Sequence, residues 1–499
     1  MQNFHANHRY IATTALLCLL TCAISYGHAN TTSTQPTDIT PKPADIASQQ
    51  LNNDLPIASP EQNDHQTIPT PINKEQADNA PPMDVNADYL LAHPQLLQQA
   101  MISVIAQQHM SGIQELLPIY EQWSGHDADT LLLAKGMLAR YQNKPKVAIT
   151  AFNQLIEKYP QNDVLHWQLA LALIENRQFK EADAQLEHLE NSKQIPNTII
   201  NQYRQLIAQQ DKLQWQLSGT VVKDNNINRA PDEKHYGRWT FDDPISDHAL
   251  SYSLQLSKQW QQRHGFFTQA QAGYSAKQYF KEHDYNDNSL RLSAGLGWAD
   301  AKQQYLLAPV WSYRLYGNKP YNQSIGIRGS SRFKITDNDY LYGAVEVGQV
   351  KHEEAKRKFL DNHNYLASAT WLHALDNHQS ISAGLDYYRQ YKTRDGDDSY
   401  RQKGLRANWQ KQWQQGQGIS SQLGASYHQR DYEGASFFSN QQNRADKEYS
   451  INASLWHEKL NFAGVIFPKL TFQHQRLDSN DASKSYTINN VGAELEMRF

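Results

Sequence analysis

The chain has 499 residues and a formal net charge of −4, and its mean hydropathy is −0.74. That balance excludes the strongly basic profile of a nucleic-acid binder, and the length allows two or three domains. It does not exclude a membrane barrel, because a barrel strand is apolar on one side only and its loops are polar.

His8 and Arg9 precede an apolar stretch from Ile11 to Ile24, and Gly27-His28-Ala29 puts small residues where a signal peptidase reads them. The stretch is too short to cross a bilayer as a helix, so residues 1–29 read as a secretory signal peptide. Leu19-Leu20-Thr21-Cys22 is only loosely like a lipoprotein cleavage site, because Thr precedes the Cys. Both cysteines, Cys18 and Cys22, lie in this segment. The mature chain is therefore expected to enter an oxidising compartment with no thiol and no disulfide. Residues 30–85 are rich in Pro, Gln, Thr, Asn and Asp, the composition of a disordered linker.

Residues 86–213 turn helical and Leu/Ala/Gln-rich. An internal repeat of 34 residues relates Gly136 to Ala170, Ala148 to Ala182, Phe152 to Leu186 and Leu155 to Leu189. Pro160 and Pro196 follow the two units. Small residues at helix crossings, a large one filling the gap and a closing proline resemble tetratricopeptide repeats. The repeat-packing set is thus Gly136, Ala148, Phe152, Ala170, Ala182 and Leu186. Leu90 to Trp123 is helical without that signature and reads as a capping pair.

From residue 214 to 499 the period becomes two. Leu250, Tyr252, Leu254 and Leu256 alternate with Ser251, Ser253 and Gln255, and Ile381, Ala383, Leu385 and Tyr387 alternate with Ser382, Gly384 and Asp386. About fourteen such runs occur, an even number as bacterial barrels require. Short connections (Gln261–His264, Ala299–Lys302, Ile335–Asp339, Leu375–His378, Gln414–Gly418) alternate with longer polar ones, of which 224–248 is the longest. The segment Glu458–Ile466 is longer than its place among the short turns suggests. Trp260, Trp298, Trp311, Tyr316, Trp371, Tyr387, Trp413 and Trp456 fit aromatic girdles at the two membrane interfaces. The last run, Val491 to Phe499, is apolar at alternate positions and ends in Phe. Leu495, Met497 and Phe499 read as the barrel-assembly signal. The fold class is therefore a short tetratricopeptide-like α-helical solenoid followed by a C-terminal antiparallel outer-membrane β-barrel of about fourteen strands.

No Gly-rich phosphate loop, metal-spaced Cys/His set, His-Glu-x-x-His or Gly-x-Ser-x-Gly occurs, so the expectation is no enzyme, no cofactor and no metal. His363 and His373 are assigned to loops rather than to a shared metal, Asp395-Gly396-Asp397-Asp398 to a solvated loop tip, and Lys351–Lys358 to an exposed loop whose basic end could meet lipopolysaccharide phosphates. If the registers hold, Arg291, Glu346, Asp386, Arg406, Glu494, Glu496 and Arg498 point into the lumen. They bring both signs of charge and no strong ion preference. The joint between first and last strands, the one closed by chain ends, is where a barrel of this kind is expected to open.

The residues also carry a resemblance. Asp224-Asn225-Asn226-Ile227-Asn228-Arg229-Ala230-Pro231, Trp239-Thr240-Phe241, Ala249-Leu250-Ser251-Tyr252, Phe467-Pro468-Lys469-Leu470-Thr471-Phe472-Gln473-His474, Ser479-Asn480 and the terminal Arg498-Phe499 resemble the corresponding segments of Slam, the surface lipoprotein assembly modulator family. The resemblance covers about residues 90 to 499. It implies an outer-membrane translocon in a Gram-negative bacterium that carries specific lipoproteins, or related soluble effectors often used for iron or haem capture, to the cell surface. It implies a helical domain in the periplasm that engages client or chaperone. Its partners would be a client lipoprotein or secreted effector, a periplasmic chaperone, the barrel assembly machinery and lipopolysaccharide, with no nucleic acid. Two rivals stand beside it: a polysaccharide exporter, for which two clear repeats are few, and a passive porin, which has no use for about 130 helical residues.

Overall fold

In a computed structural model of the chain, the described residues are 87–394, 398–413, 418–457, 460 and 466–498. The signal peptide (1–29), the linker (30–85), Phe499 and the loop tip at 395–397 lie outside them, as do most of the connections 414–418 and 458–465.

Among the described residues eight helices precede the strands: α1 Ala87–Ala92, α2 Pro94–Ala106, α3 Met110–Gln122, α4 Ala128–Tyr141, α5 Pro145–Lys158, α6 Asp163–Glu175, α7 Phe179–His188 and α8 Asn197–Gln210. Their starts are written locally. Pro94 and Pro145 sit in the first turn of α2 and α5, where no N–H is needed. Asp127 accepts the Thr130 N–H at 2.7 Å, and the Asn162 side chain accepts from Val164 and Leu165. The 34-residue repeat corresponds to α4/α5 and α6/α7. Ala148, Phe152, Ala170, Ala182 and Leu186 are all fully buried in one core with Leu189 and Ile174. Gly136 explains why α4 and α5 approach closely: a Cβ there would stand 2.7 Å from the Phe152 ring. Between the pairs, Arg140 on α4 reaches Glu175 at 2.6 Å and the Gln168 side chain at 2.5 Å on α6.

Fourteen strands close into one antiparallel barrel. In chain order they are β1 Gln214–Asp224, β2 Asp247–Gln261, β3 Phe266–Tyr279, β4 Asp287–Ala299, β5 Gln303–Tyr316, β6 Lys319–Lys334, β7 Asp339–His352, β8 Asn362–Asp376, β9 Gln379–Tyr391, β10 Tyr400–Trp413, β11 Ile419–Ala435, β12 Asn443–His457, β13 Ile466–Ser479 and β14 Tyr486–Arg498. Each pairs with its sequence neighbours, and β14 returns to β1 with Gln216 opposite Arg498 and Asp224 opposite Asn490. Closure leaves no free sheet edge, the condition for a sheet to stand in hydrocarbon.

Alternation gives the wall two faces. Leu296, Leu307, Ile325, Ile327, Val345, Val347, Leu385, Leu405, Leu470 and Val491 are large apolar side chains exposed on the outside. Their neighbours Glu346, Asp386 and Arg406 turn inward. Outward aromatics mark both rims. Near the short turns lie Trp260, Phe266, Trp298 stacked on Tyr305, Trp371 and Trp413; near the long loops lie Tyr252 with Tyr274, Trp311 with Tyr313, Tyr365 with Tyr387, and Tyr427 with Tyr449. Tyr252 and Trp260 are eight residues apart on β2; at about 3.3 Å per residue and a tilt of about 40° they stand roughly 20 Å apart along the barrel axis, close to the height of an outer-membrane apolar band. Lys258 and Lys411 lay their ammonium groups over Trp260 (5.3 Å) and Trp413 (4.4 Å), an arrangement that brings charge to the interface while the stem stays in lipid.

Two aromatics expected in the girdles face inward instead. Tyr316 follows the inward Arg314, which lies over its ring at 5.9 Å. Trp456 lies between the outward Leu455 and the strand end, and the inward Lys469 of β13 stands over it at 5.0 Å. Position near a strand end does not decide the face; parity does. His363 and His373 are likewise not loop residues. Both lie in β8, where His373 contacts Asp339 at 2.8 Å and His363 packs on Tyr391.

Candidate functional site

The lumen and its two mouths are built from the inward half of the strand pattern. Arg291 on β4 meets Glu346 on β7 at 2.6 Å, and Arg328 on β6 meets the same oxygen at 3.1 Å. Between them β5 presents the buried Ala308 and Val310, small enough to let the arginine pass over. Asp386 on β9 takes a two-pronged contact from Arg406 on β10, at 2.5 and 2.8 Å, and Arg406 also donates to the Thr370 hydroxyl on β8. Glycines make this room. A Cβ at Gly384 would stand 2.9 Å from the Arg406 guanidinium, and one at Gly404 would stand 2.4 Å from the His428 ring. Arg430 on β11 contacts Glu448 on β12 at 2.5 Å and the Gln402 side chain on β10 at 2.6 Å, while Gln475 on β13 donates to Glu448 at 3.0 Å. Arg314 pairs with Asp287 at 2.5 and 2.8 Å.

These bridges lace the inner wall from β4 to β13. Arg406, Arg430 and Arg314 each face a carboxylate of their own, and Arg291 and Arg328 share Glu346, so the desolvated carboxylates are compensated in place. The wall is polar and carries both signs of charge. Arg328, Arg430, Glu448, His428 and Arg314 were not among the expected lumen residues. Their signal is parity opposite to the exposed apolar residues, as Arg328 beside the outward Ile327 shows. Glu494 faces the lumen, half-buried, in register with Thr220 on one side and Lys469 on the other. Leu495 is exposed on the lipid side. The backbones of Glu496, Met497 and Arg498 pair with Ser218, Leu217 and Gln216.

At the short-turn mouth the helices touch the barrel. Lys146, at the start of α5, stands 2.6 Å from Asp300 in the β4–β5 turn and 5.5 Å from the centre of the Trp298 ring. Glu181 on α7 accepts the His264 backbone N–H at 2.5 Å in the β2–β3 turn, and Asp211 after α8 accepts from Gln261 at 2.8 Å. Burial pushes the Asp300 carboxyl up, but Lys146 and the backbone N–H groups of Lys302 and Gln303 outweigh it, and its pKa ends below the ordinary range. Arg177, in the α6–α7 turn, is held below the usual guanidinium range by burial and by Arg332 on β6, with Asp300 opposing. The long-loop mouth is crossed by the 225–246 loop. Its tip packs Tyr236, Trp239 and Phe241 against Phe437 and Phe438 of the β11–β12 loop, with ring centres 5.3 to 5.8 Å apart. Lys351–Lys358 is not simply an exposed loop: it ends β7 and enters a short 3-10 helix, and Arg357 packs over Tyr321 at 5.2 Å. Among the described residues no group of three His, Cys, Asp or Glu could hold a metal.

The family model for surface lipoprotein assembly modifiers matches residues 214–499, the whole barrel. The chain belongs to the surface lipoprotein assembly modifier family. The model of that family's N-terminal tetratricopeptide repeats matches residues 83–186. The chain is 31% identical over 444 residues to surface lipoprotein assembly modifier 1 of Neisseria meningitidis serogroup B, covering 87% of this chain and 90% of that protein. It is 31% identical over 414 residues to the surface lipoprotein assembly modifier of Moraxella catarrhalis, covering 82% and 81%. It is 24% identical over 439 residues to the hemophilin secretion modulator of Acinetobacter baumannii, covering 82% and 86%. Like the rest of the assembly modifier family, the chain is an outer-membrane protein. Its charged lumen and docked helices are the features that a functional reading has to use.

Proposed function

We propose that this chain delivers specific lipoproteins, or related secreted effectors, across the outer membrane to the cell surface. The observation that carries this reading is the docking of the repeat helices on the short-turn mouth through Lys146–Asp300, Glu181–His264 and Asp211–Gln261. A passive pore needs no such attachment; a translocon uses it to hold a client at the entrance.

In this reading the short turns and the helices lie in the periplasm, where the repeats engage the client or its chaperone, and the long loops lie outside. The barrel carries the translocation step and performs no covalent chemistry. Client folding outside, or tighter binding there, draws the client through. The barrel itself is inserted by the assembly machinery of the outer membrane, and exposed cations such as Lys356 contact lipopolysaccharide phosphates. The names of the relatives, surface lipoprotein assembly modifier and hemophilin secretion modulator, support a lipoprotein or a secreted effector as the client.

The test is deletion of the gene followed by antibody staining of intact cells for lipoproteins encoded beside it. Loss of surface signal with unchanged total amount is expected. Unchanged staining of every candidate sinks the reading.

A further inference from the structure

The β1–β14 joint differs from the other thirteen in three ways. Among the described residues its ladder is the shortest, nine residue pairs from Gln216↔Arg498 to Asp224↔Asn490, where β5–β6 and β10–β11 each pair fourteen. On its lumen side β1 offers Ser218 and Thr220 and no base: Thr220 stands in register with Glu494, and Ser218 shares its hydrogen bond with Ser253 of β2 at 2.8 Å. β1 contributes no arginine, and its inward acid, Asp224, is drawn toward β3 by Lys277 (2.6 Å) and the Tyr279 hydroxyl (3.0 Å).

The third difference lies above the ladder. From Tyr486 to Asn489 the edge of β14 has no partner on β1 and is held by the loop that follows β1. The Asn489 N–H donates to Asn225 Oδ1 at 2.8 Å. The Thr487 N–H and hydroxyl donate to the two oxygens of Asp232, at 3.0 and 2.9 Å. Asp232 returns its own N–H to the Ser485 carbonyl at 2.9 Å, and Arg229 lies over the Tyr486 ring. A loop rooted on one strand of the joint thus grips the other strand by side chains. Side-chain bonds of this kind can be released without unpairing a ladder.

We propose that the β1–β14 joint opens sideways as the exit for a client's lipid anchor, with Asn225 and Asp232 as its latch. This rests on the delivery reading above. Acyl chains cannot leave through the long-loop mouth without entering water, and a lumen laced with Arg–acid pairs offers them no stable seat. A lateral opening passes them from the lumen into the outer leaflet while the polypeptide emerges over the rim. The two edges exposed on opening carry unpaired backbone groups, so the joint must reclose after each passage.

Both native cysteines precede residue 30, so engineered pairs test this in the full chain in cells. Val221→Cys with Ala493→Cys links the joint through lipid-facing partners; Val345→Cys with Ala367→Cys links β7 to β8 through the same residue types on the same face. Heat-modifiable migration reports that each barrel is folded. Oxidising the 221/493 pair is expected to lower surface display of the client at least tenfold, and reductant to restore it, with the 345/367 pair indifferent. Full display with the joint oxidised overturns the exit, as does equal loss with both pairs. Display that survives deletion of the whole chain instead sinks the delivery reading, and the exit with it. The latch has its own readout: Asn225→Ala with Asp232→Ala should cut the disulfide yield at 221/493 several-fold and leave 345/367 unchanged. An unchanged yield removes the latch.

Discussion

Lys146 and Asp300, 154 positions apart in the chain, meet at 2.6 Å and tie the repeat helices to a barrel turn. Lys146 is largely in water and Asp300 is not, so the buried carboxylate has more to lose. Charge reversal at Lys146 (Lys146→Glu) is expected to reduce client display several-fold without lowering barrel abundance, and Asp300→Lys to restore part of it. Asp300 is depressed in the folded state, so its contribution is complete above the unfolded carboxylate's pKa of about 3.9 and fades as pH falls through the lower folded value. Site-specific cross-linking of the helices to the turn should therefore hold constant from pH 8 to 5 and weaken only in stronger acid.

Phe152 fills the space that Gly136 leaves. Phe152→Ala removes a fully buried ring, a change that costs about 3–5 kcal/mol in well-packed cores. Gly136→Leu errs in the other direction, forcing a side chain into the Phe152 ring. Both should lower the urea midpoint of the helical signal in the purified full chain, while heat-modifiable migration shows the barrel intact. A joint loss of both signals would show that the helices and barrel unfold as one unit.

Arg406 and Asp386 are both shielded within the wall, and removing one leaves the other without its partner. Breaking a buried pair from one side costs about 3–5 kcal/mol, whereas replacing both members with apolar groups is often neutral. Arg406→Met alone is thus expected to lower the temperature at which the barrel unfolds more than Arg406→Met with Asp386→Leu. A double variant that is worse than either single would show that the pair supports the wall beyond mutual compensation.

Leu385 and Asp386 show why the barrel was readable. A one-residue step separates lipid from lumen, and the run Ile381–Tyr387 declares its parity without help from distant residues. Trp456 and Tyr316 show where that reading fails. Each follows an apolar residue of the opposite face, Leu455 or Leu315, so the apolar alternation breaks at the strand end, and β5–β6 shifts register beside Tyr316 at Arg314/Leu315. The repeat was legible because its spacing is local. The docking contacts were not, because Lys146 and Asp300, or Glu181 and His264, meet only after two architectures have formed. The same holds for Asn225 and Asp232: Asn225 lies in the segment from Asp224 to Pro231 that carries the family resemblance and Asp232 follows it, but their grip on Asn489 and Thr487 spans the whole barrel sequence.

Adjacent residues of β14 offer the sharpest separation of assembly from transport. Leu495 faces lipid and Glu494 faces the lumen. A charge on the lipid face of a barrel costs up to about 2–4 kcal/mol at mid-membrane and less toward the interface, so Leu495→Arg should lower the amount of folded barrel. Glu494→Gln leaves the lipid face and the backbone pairing with Thr220 untouched; it should keep barrel abundance and reduce client display. Phe499, proposed as the end of the assembly signal, belongs with Leu495: Phe499→Ala should lower abundance and leave display per folded barrel unchanged. Quantifying folded barrel by heat-modifiable migration and client by surface staining of the same cells separates the two effects. If Glu494→Gln and Leu495→Arg lowered abundance alike and display only in proportion, the lumen side of this strand would have a structural role and no part in transport.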